Sequence, residues 1–182
     1  KTNIVADRTT TFVDQEKTNK LREEAAQSAP RVYEEDQNIN KNILNKIDNL
    51  FLSAEELRNK ELSTEEKIQK LIVEVDEDYS GKTYNLLITG NEDFIDNSHK
   101  LSKELMEKEL DKRILPDEIE EVKNNFSNEV SDLNLEDNYK ELVLNVLNTT
   151  VKANMNFNKE LTEERKKYAR QNVEPFERSV RH

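Results

Sequence analysis

The stretch TNKLREEAAQSAPRVY, residues 18–33, has a counterpart near the other end of the chain in TEERKKYARQNVEPF, residues 162–176. Thr18, Ala25 and Gln27 meet Thr162, Ala169 and Gln171 at one constant spacing; Ser28 then meets Asn172, and Ala29 meets Val173. Each stretch closes on a proline and an aromatic, Pro30 with Tyr33 and Pro175 with Phe176, the prolines slipping by one residue. Two amphipathic helices can match this well by chance, but here the flanks match as well. Arg8–Val13 (RTTTFV) is rich in Thr, Phe and Val, which suit a pleated surface, and Met155–Phe157 is a shorter run of the same kind. Asp14 and Asn158 follow these runs as N-caps. The first helix passes through Leu21 and Ala25 and stops before Pro30, leaving Arg31–Tyr33 extended. A strand-helix-extended unit is therefore predicted at each end, over 1–35 and 151–182. Their strands are expected to pair and bring the termini together, with residues 36–150 as a separate helical lobe.

The middle of the chain carries helical periodicity. Ile39, Ile43, Ile47, Leu50 and Phe51 recur on one face. Leu57, Leu62, Ile68, Leu71 and Ile72 are assigned to shorter helices broken near Ser53 and at Ser63–Thr64. Val73–Gly90 reads as a loop followed by a short apolar helix over Tyr84–Ile88. Phe94, Ile95, Leu101 and Leu105 mark a helix ending near Arg113. Pro116 is placed in the first turn of the next helix, whose stripe is Ile119, Val122, Phe126 and Val130. Leu142, Val143, Val146 and Leu147 make a further helix. The fold class is mainly α with a small β component, a helical lobe inserted between two similar terminal units.

Composition agrees. Among 182 residues, 37% are charged and 34% hydrophobic, a balance that leaves only a thin core. With 2 Gly and 3 Pro the chain lacks the turn residues of a many-stranded β fold. The net charge of −11 repels phosphate backbones, and Lys and Arg are interleaved with Glu and Asp along the sequence, so no nucleic acid partner is expected. No apolar run approaches the roughly 20 residues that span a bilayer. Lys1 leads straight into polar sequence without a signal peptide, as expected of a piece excised from a longer protein. The absence of Cys removes disulfides, thiolate metal sites and cysteine nucleophiles.

Little catalytic chemistry is on offer. The histidines are His99, on a predicted helix among polar residues, and His182. No cluster of His and Asp ligands, no Gly-rich nucleophile elbow and no phosphate-binding loop occurs; Gly81 and Gly90 are the glycines. No catalytic, cofactor-binding or metal-binding residue is assigned, and no cofactor. Asp76, Asp78, Ser80 and Gly81 match the first half of a calcium loop, but the position that needs a bidentate Glu is Leu87, so a charged loop with a Ser-Gly turn is the preferred reading. Tyr33, Tyr79, Tyr84, Tyr139 and Tyr168 are read as core or rim rather than as a ligand pocket. Arg22 and Arg31 are read as pairing with nearby Glu rather than receiving an anion.

The terminal stretches carry a family pattern. Ile4–Arg8, Phe12–Asp14, Thr18, Leu21–Ala25 and Ala29–Tyr33, with Asn154–Phe157, Thr162, Ala169 and Val173–Phe176, resemble the two ends of the extracellular domain of seven-transmembrane receptors with a cytoplasmic HD hydrolase. Phe176, where an aliphatic residue is more usual, and Ala29, where Val is, depart from the pattern. The resemblance implies one extracytoplasmic domain over 1–182, preceded by one membrane helix and followed by seven, on the extracellular face of the membrane. It implies that a metal-dependent cytoplasmic HD domain, absent from this chain, hydrolyses cyclic di-AMP, and that this chain is a non-catalytic regulatory input. The expected partners are a small molecule or cell-envelope ligand, the parent's own membrane helices, and a second copy in a homodimer. The alternative is an interaction or dimerisation module without a small ligand. The Lys-, Asn- and Glu-rich composition points to an AT-rich Gram-positive source.

Overall fold

Side-chain caps rather than glycine turns open six of the eight helices among the described residues. The computed structural model describes residues 9–181. In chain order the elements are β1 (Thr9–Val13), α1 (Gln15–Gln27), β2 (Tyr33–Glu35), α2 (Gln37–Arg58), α3 (Thr64–Glu74), α4 (Gly81–Thr89), α5 (Glu92–Leu110), α6 (Ile119–Asp132), α7 (Asp137–Thr150), β3 (Met155–Phe157), α8 (Lys159–Gln171) and β4 (Glu177–Arg181). Asp14, Asp36, Ser63, Ser80, Asn91 and Asn158 each accept an N–H of the first turn of the helix that follows. Ser63 and Glu66 complete a capping box. The fold is mainly α with two small two-stranded sheets.

Glu35–Asn156 form one compact unit. Its core is one cluster running through Ile43, Ile47, Leu50, Ala54 and Leu57 of α2, Leu71, Leu87, Met106, Phe126, Val130 and the α7 residues Leu142, Val143, Val146 and Leu147. Helix α2 packs against α3, α4, α5 and α7, and α7 in turn against α4, α5 and α6. Asn154 closes this unit. Its buried Nδ2 faces Asn40 Oδ1 at 3.0 Å, Leu110 O at 3.1 Å and Lys112 O at 3.0 Å, while its Oδ1 accepts from Ile114 N at 2.8 Å.

Several boundaries differ from expectation. Helix α2 runs unbroken through Ser53, because Leu50, Phe51, Ala54 and Leu57 continue its buried face and nothing competes with the ladder. Leu57 therefore belongs to α2, and Leu62 to the linker, where its N–H reaches Lys60 O. Pro116 precedes α6 in a turn rather than lying in it: Glu118 N donates to Leu115 O at 3.0 Å, and Leu115 N to Glu118 Oε2 at 2.9 Å. The apolar helix expected over Tyr84–Ile88 begins earlier, at Gly81, and β2 begins at Tyr33 instead of ending there.

The other compact unit comprises the described residues up to Glu34 together with those from Phe157 onward. Strand β1 pairs antiparallel with β4, Thr10 opposite Val180 and Phe12 opposite Arg178. Thr18 Oγ1 donates to Asp14 O at 2.7 Å and accepts Phe176 N at 2.9 Å; Thr162 Oγ1 donates to Asn158 O at 2.7 Å and accepts Val32 N at 2.9 Å. Asp14 N donates to Phe176 O at 2.8 Å, and Asn158 N to Val32 O at 2.9 Å. Every bond has its counterpart at the repeat spacing, so each half holds the tail of the other in a pseudo-two-fold arrangement. Phe176 thus corresponds to Val32; the aromatic match with Tyr33 was one residue out of register.

Charge divides by unit. Residues 35–156 carry 28 Asp and Glu against 15 Lys and Arg, and the remainder 11 against 13. Local interleaving along the sequence conceals this: the acidity belongs to the helical unit alone.

Candidate functional site

The end of α2, the α4–α5 junction and the start of α5 enclose a cleft of about 280 Å³. Phe51, Ile88 and Ile95 are its buried floor. Leu52, Glu55, Arg58 and Asn59 form one wall, and Glu92, Asp96 and His99 the other. Gly90 lies between them, where a Cβ would meet Leu86 O at 2.7 Å and Phe94 Cδ1 at 2.9 Å, so only glycine lets α4 turn so closely into α5. Glu55, Arg58, Glu92 and Asp96 make no ion pair among the described residues.

His99 is the most constrained group of this wall. Its ring stacks on Phe51 at 4.6 Å between centroids and 10° between planes. Its Nε2 lies 2.7 Å from Asp48 Oδ1, and Lys103 Nζ donates to Asp48 Oδ2 at 3.0 Å. Burial pushes the Asp48 carboxyl up, but the bonds from Lys103 and His99 outweigh it and hold that carboxyl below its ordinary range. The polar surroundings of His99 in sequence gave no hint of this stack, because Phe51 and Asp48 come from a distant helix. An apolar floor, an oriented imidazole and uncompensated charges of both signs suit a small amphipathic ligand.

The half-match to a calcium loop is committed elsewhere. Ser80 caps α4, accepting Thr83 N at 3.1 Å, while its own N–H donates to Asn145 Oδ1 at 2.9 Å. Gly81 is the first residue of α4, and Leu87, at the position needing a carboxylate, is fully buried. Asp76 lies beside a small cleft of about 50 Å³ with Lys46, Glu77 and Tyr79. Glu77 pairs there with Lys46, and Lys152 stands 3.6 Å away. Among the described residues no group of three or more His, Asp or Glu has metal-holding geometry.

The tyrosines do not converge. Tyr79 and Tyr84 are buried edge to face; Tyr84 OH donates to Glu77 O at 2.9 Å, and Tyr79 OH lies 3.1 Å from Thr150 Oγ1. Burial pushes the Tyr79 phenol up to about 12. Tyr139 meets Phe94, Tyr33 meets Phe157, and Tyr168 is largely exposed. Neither Arg22 nor Arg31 pairs with a carboxylate among the described residues, contrary to expectation; Glu23 is taken by Arg170 at 2.9 Å, and Arg22 Nε is buried without a partner. His182 and the Ile4–Arg8 part of the terminal pattern lie outside the described residues.

No helix among the described residues is long and apolar enough to cross a membrane. The family model described as 7TM-HD extracellular matches residues 1–182. No curated protein and no solved structure matches the chain.

Proposed function

The chain belongs to the 7TM-HD extracellular family, which makes it the extracellular domain of a seven-transmembrane HD protein, and we propose that this domain is the ligand-responsive input that regulates that protein. In this reading residues 1–182 are one extracytoplasmic domain without catalysis of its own. The parent's cytoplasmic HD part, a metal-dependent phosphodiesterase, hydrolyses cyclic di-AMP. Family membership supports the extracytoplasmic placement, and the parent's chemistry rests on the resemblance of the two terminal stretches. A ligand changes the output only by binding two arrangements of the domain unequally. The β1–β4 ribbon, whose strands run toward the two ends of the domain, is the route by which such a change reaches the membrane helices.

The observation that carries the ligand reading is the cleft beside His99, where Glu55, Glu92, Asp96 and Arg58 stand uncompensated over the buried ring of Phe51. Three carboxylates against one guanidinium favour a small organic amine with an apolar body. A thermal-shift screen of the domain tests this with amines, envelope fragments, nucleotides and metal ions, since only a ligand that prefers the folded state raises the melting point. Saturable stabilisation by amines, lost in the Glu55→Gln/Asp96→Asn variant, is the expected result. A cooperative melt that no compound shifts sinks the reading and leaves a module that docks a protein or dimerises.

A further inference from the structure

Thr10–Val13 and Glu177–Val180 are exposed along their whole length, so the β1–β4 ribbon is covered on neither face. An isolated two-stranded ribbon is marginal in water and gains from any apolar surface laid against it. Its apolar side chains do point outward. Phe12 is 46% exposed and Val180 37%, and the pairing of Thr10 with Val180 and Phe12 with Arg178 puts them diagonally on one face with Arg178 beside them. The unit that owns this ribbon is the one with more Lys and Arg than Asp and Glu, while the helical unit is strongly acidic. Arg178 has no carboxylate within ion-pair distance among the described residues.

We infer that the ribbon rests on an anionic phospholipid surface, Phe12 and Val180 entering the headgroup layer and Arg178 meeting lipid phosphates at its edge. An aromatic and an aliphatic group flanked by a cation is the combination that an anionic interface takes up. The helical unit is repelled by the same surface and the terminal unit is not, so charge alone selects which unit lies against the bilayer. The inference rests on the extracellular placement of a membrane protein and needs no ligand in the His99 cleft, so it stands or falls separately from the ligand reading.

The chain contains no Trp, so Phe12→Trp introduces a single fluorescent reporter on the ribbon, and Val73→Trp, at a position 84% exposed on α3, is its control. Both are titrated with vesicles of phosphatidylglycerol and phosphatidylcholine in equal parts, and with phosphatidylcholine alone, circular dichroism confirming that each variant keeps its helices. The expected result is a blue shift of the Phe12→Trp emission with the anionic vesicles only. It weakens as salt rises and is lost when Arg178→Glu is added, while the Val73→Trp emission stays put. No shift, an equal shift with both lipids, an equal shift at both reporters, or a vesicle-free shift that follows protein concentration overturns the proposal. The last of these assigns the ribbon to a second copy of the chain.

Discussion

In the helical unit most buried side chains are apolar and join in one cluster from Ile43 to Val151, with a few polar ones such as Ser98, Glu109 and Asn154 among them; in the terminal unit, among the described residues, the buried ones are Thr18, Ala26 and Thr162. The first is held by apolar area removed from water, a force without direction that accepts any side chain of suitable volume. The second is held by hydrogen bonds in which particular atoms must meet. A threonine hydroxyl serves there because it can give its proton to the carbonyl four residues back and still accept an N–H from the opposite tail. The difference explains why a sequence repeat is visible at the two ends of the chain and nowhere in its middle.

The comparison breaks first in the core. Phe126→Ala, at a fully buried position, is expected to cost about 3–5 kcal/mol of the helical unit's stability, read from urea unfolding followed by circular dichroism. A loss no greater than that of an ordinary surface change means that the core is not what holds this unit.

Thr162→Val keeps the shape of the side chain but leaves the Val32 N–H without its acceptor, and Thr18→Val does the same to Phe176. Each is expected to cost about 1–3 kcal/mol, confined to the terminal unit. Amide exchange should quicken at Val32 in one variant and at Phe176 in the other, with protection in α2 and α7 unchanged. Unequal effects would show that the two-fold correspondence is geometric but not energetic.

The smallest effect is in pH. Burial raises the Asp48 and Glu77 carboxyls, but His99 and Lys103 at the first, and Lys46 and Lys152 at the second, hold both below their ordinary values of 3.8 and 4.5. A depressed carboxyl stabilises the folded form fully above its unfolded value, and the benefit disappears as pH falls through the lower folded value. The helical unit is therefore expected to lose stability steadily from about pH 5 downward. Asp48→Asn should flatten that slope in a pH series of melting curves; an unchanged slope would remove the Asp48 bonds from the account.

The sequence disclosed the helices where a cap preceded them, as at Asp14 and Asn158, and where an apolar stripe ran on, as from Ile39 to Phe51. It misled where a polar residue sat inside a buried face. Ser53 reads as a break only if the periodicity of Leu50, Phe51, Ala54 and Leu57 is ignored, and tertiary packing settles the matter. Pro116 fits both a first turn and the turn before it, and the side chain of Glu118 decides by capping Leu115 N. The terminal threonines were visible as a repeat, but their bonding was not: each hydroxyl meets a backbone N–H some 130 residues or more away, a separation no local pattern encodes. The cleft was hidden for the same reason, since Phe51 and His99 lie on different helices and neither sits in a motif.

Asp36 N donates to Asn154 O at 2.9 Å, so the chain comes back to within one hydrogen bond of where it departed. Everything between those two residues is, topologically, one closed excursion from the terminal frame. Lengthening a closed excursion costs little, because closure entropy grows only with the logarithm of length. Helical segments of other lengths, so long as their own ends meet, can consequently be spliced between Asp36 and Asn154 without disturbing the threonine bonds. A helical part can in this way be exchanged while the part that pairs the two ends of the fold is kept.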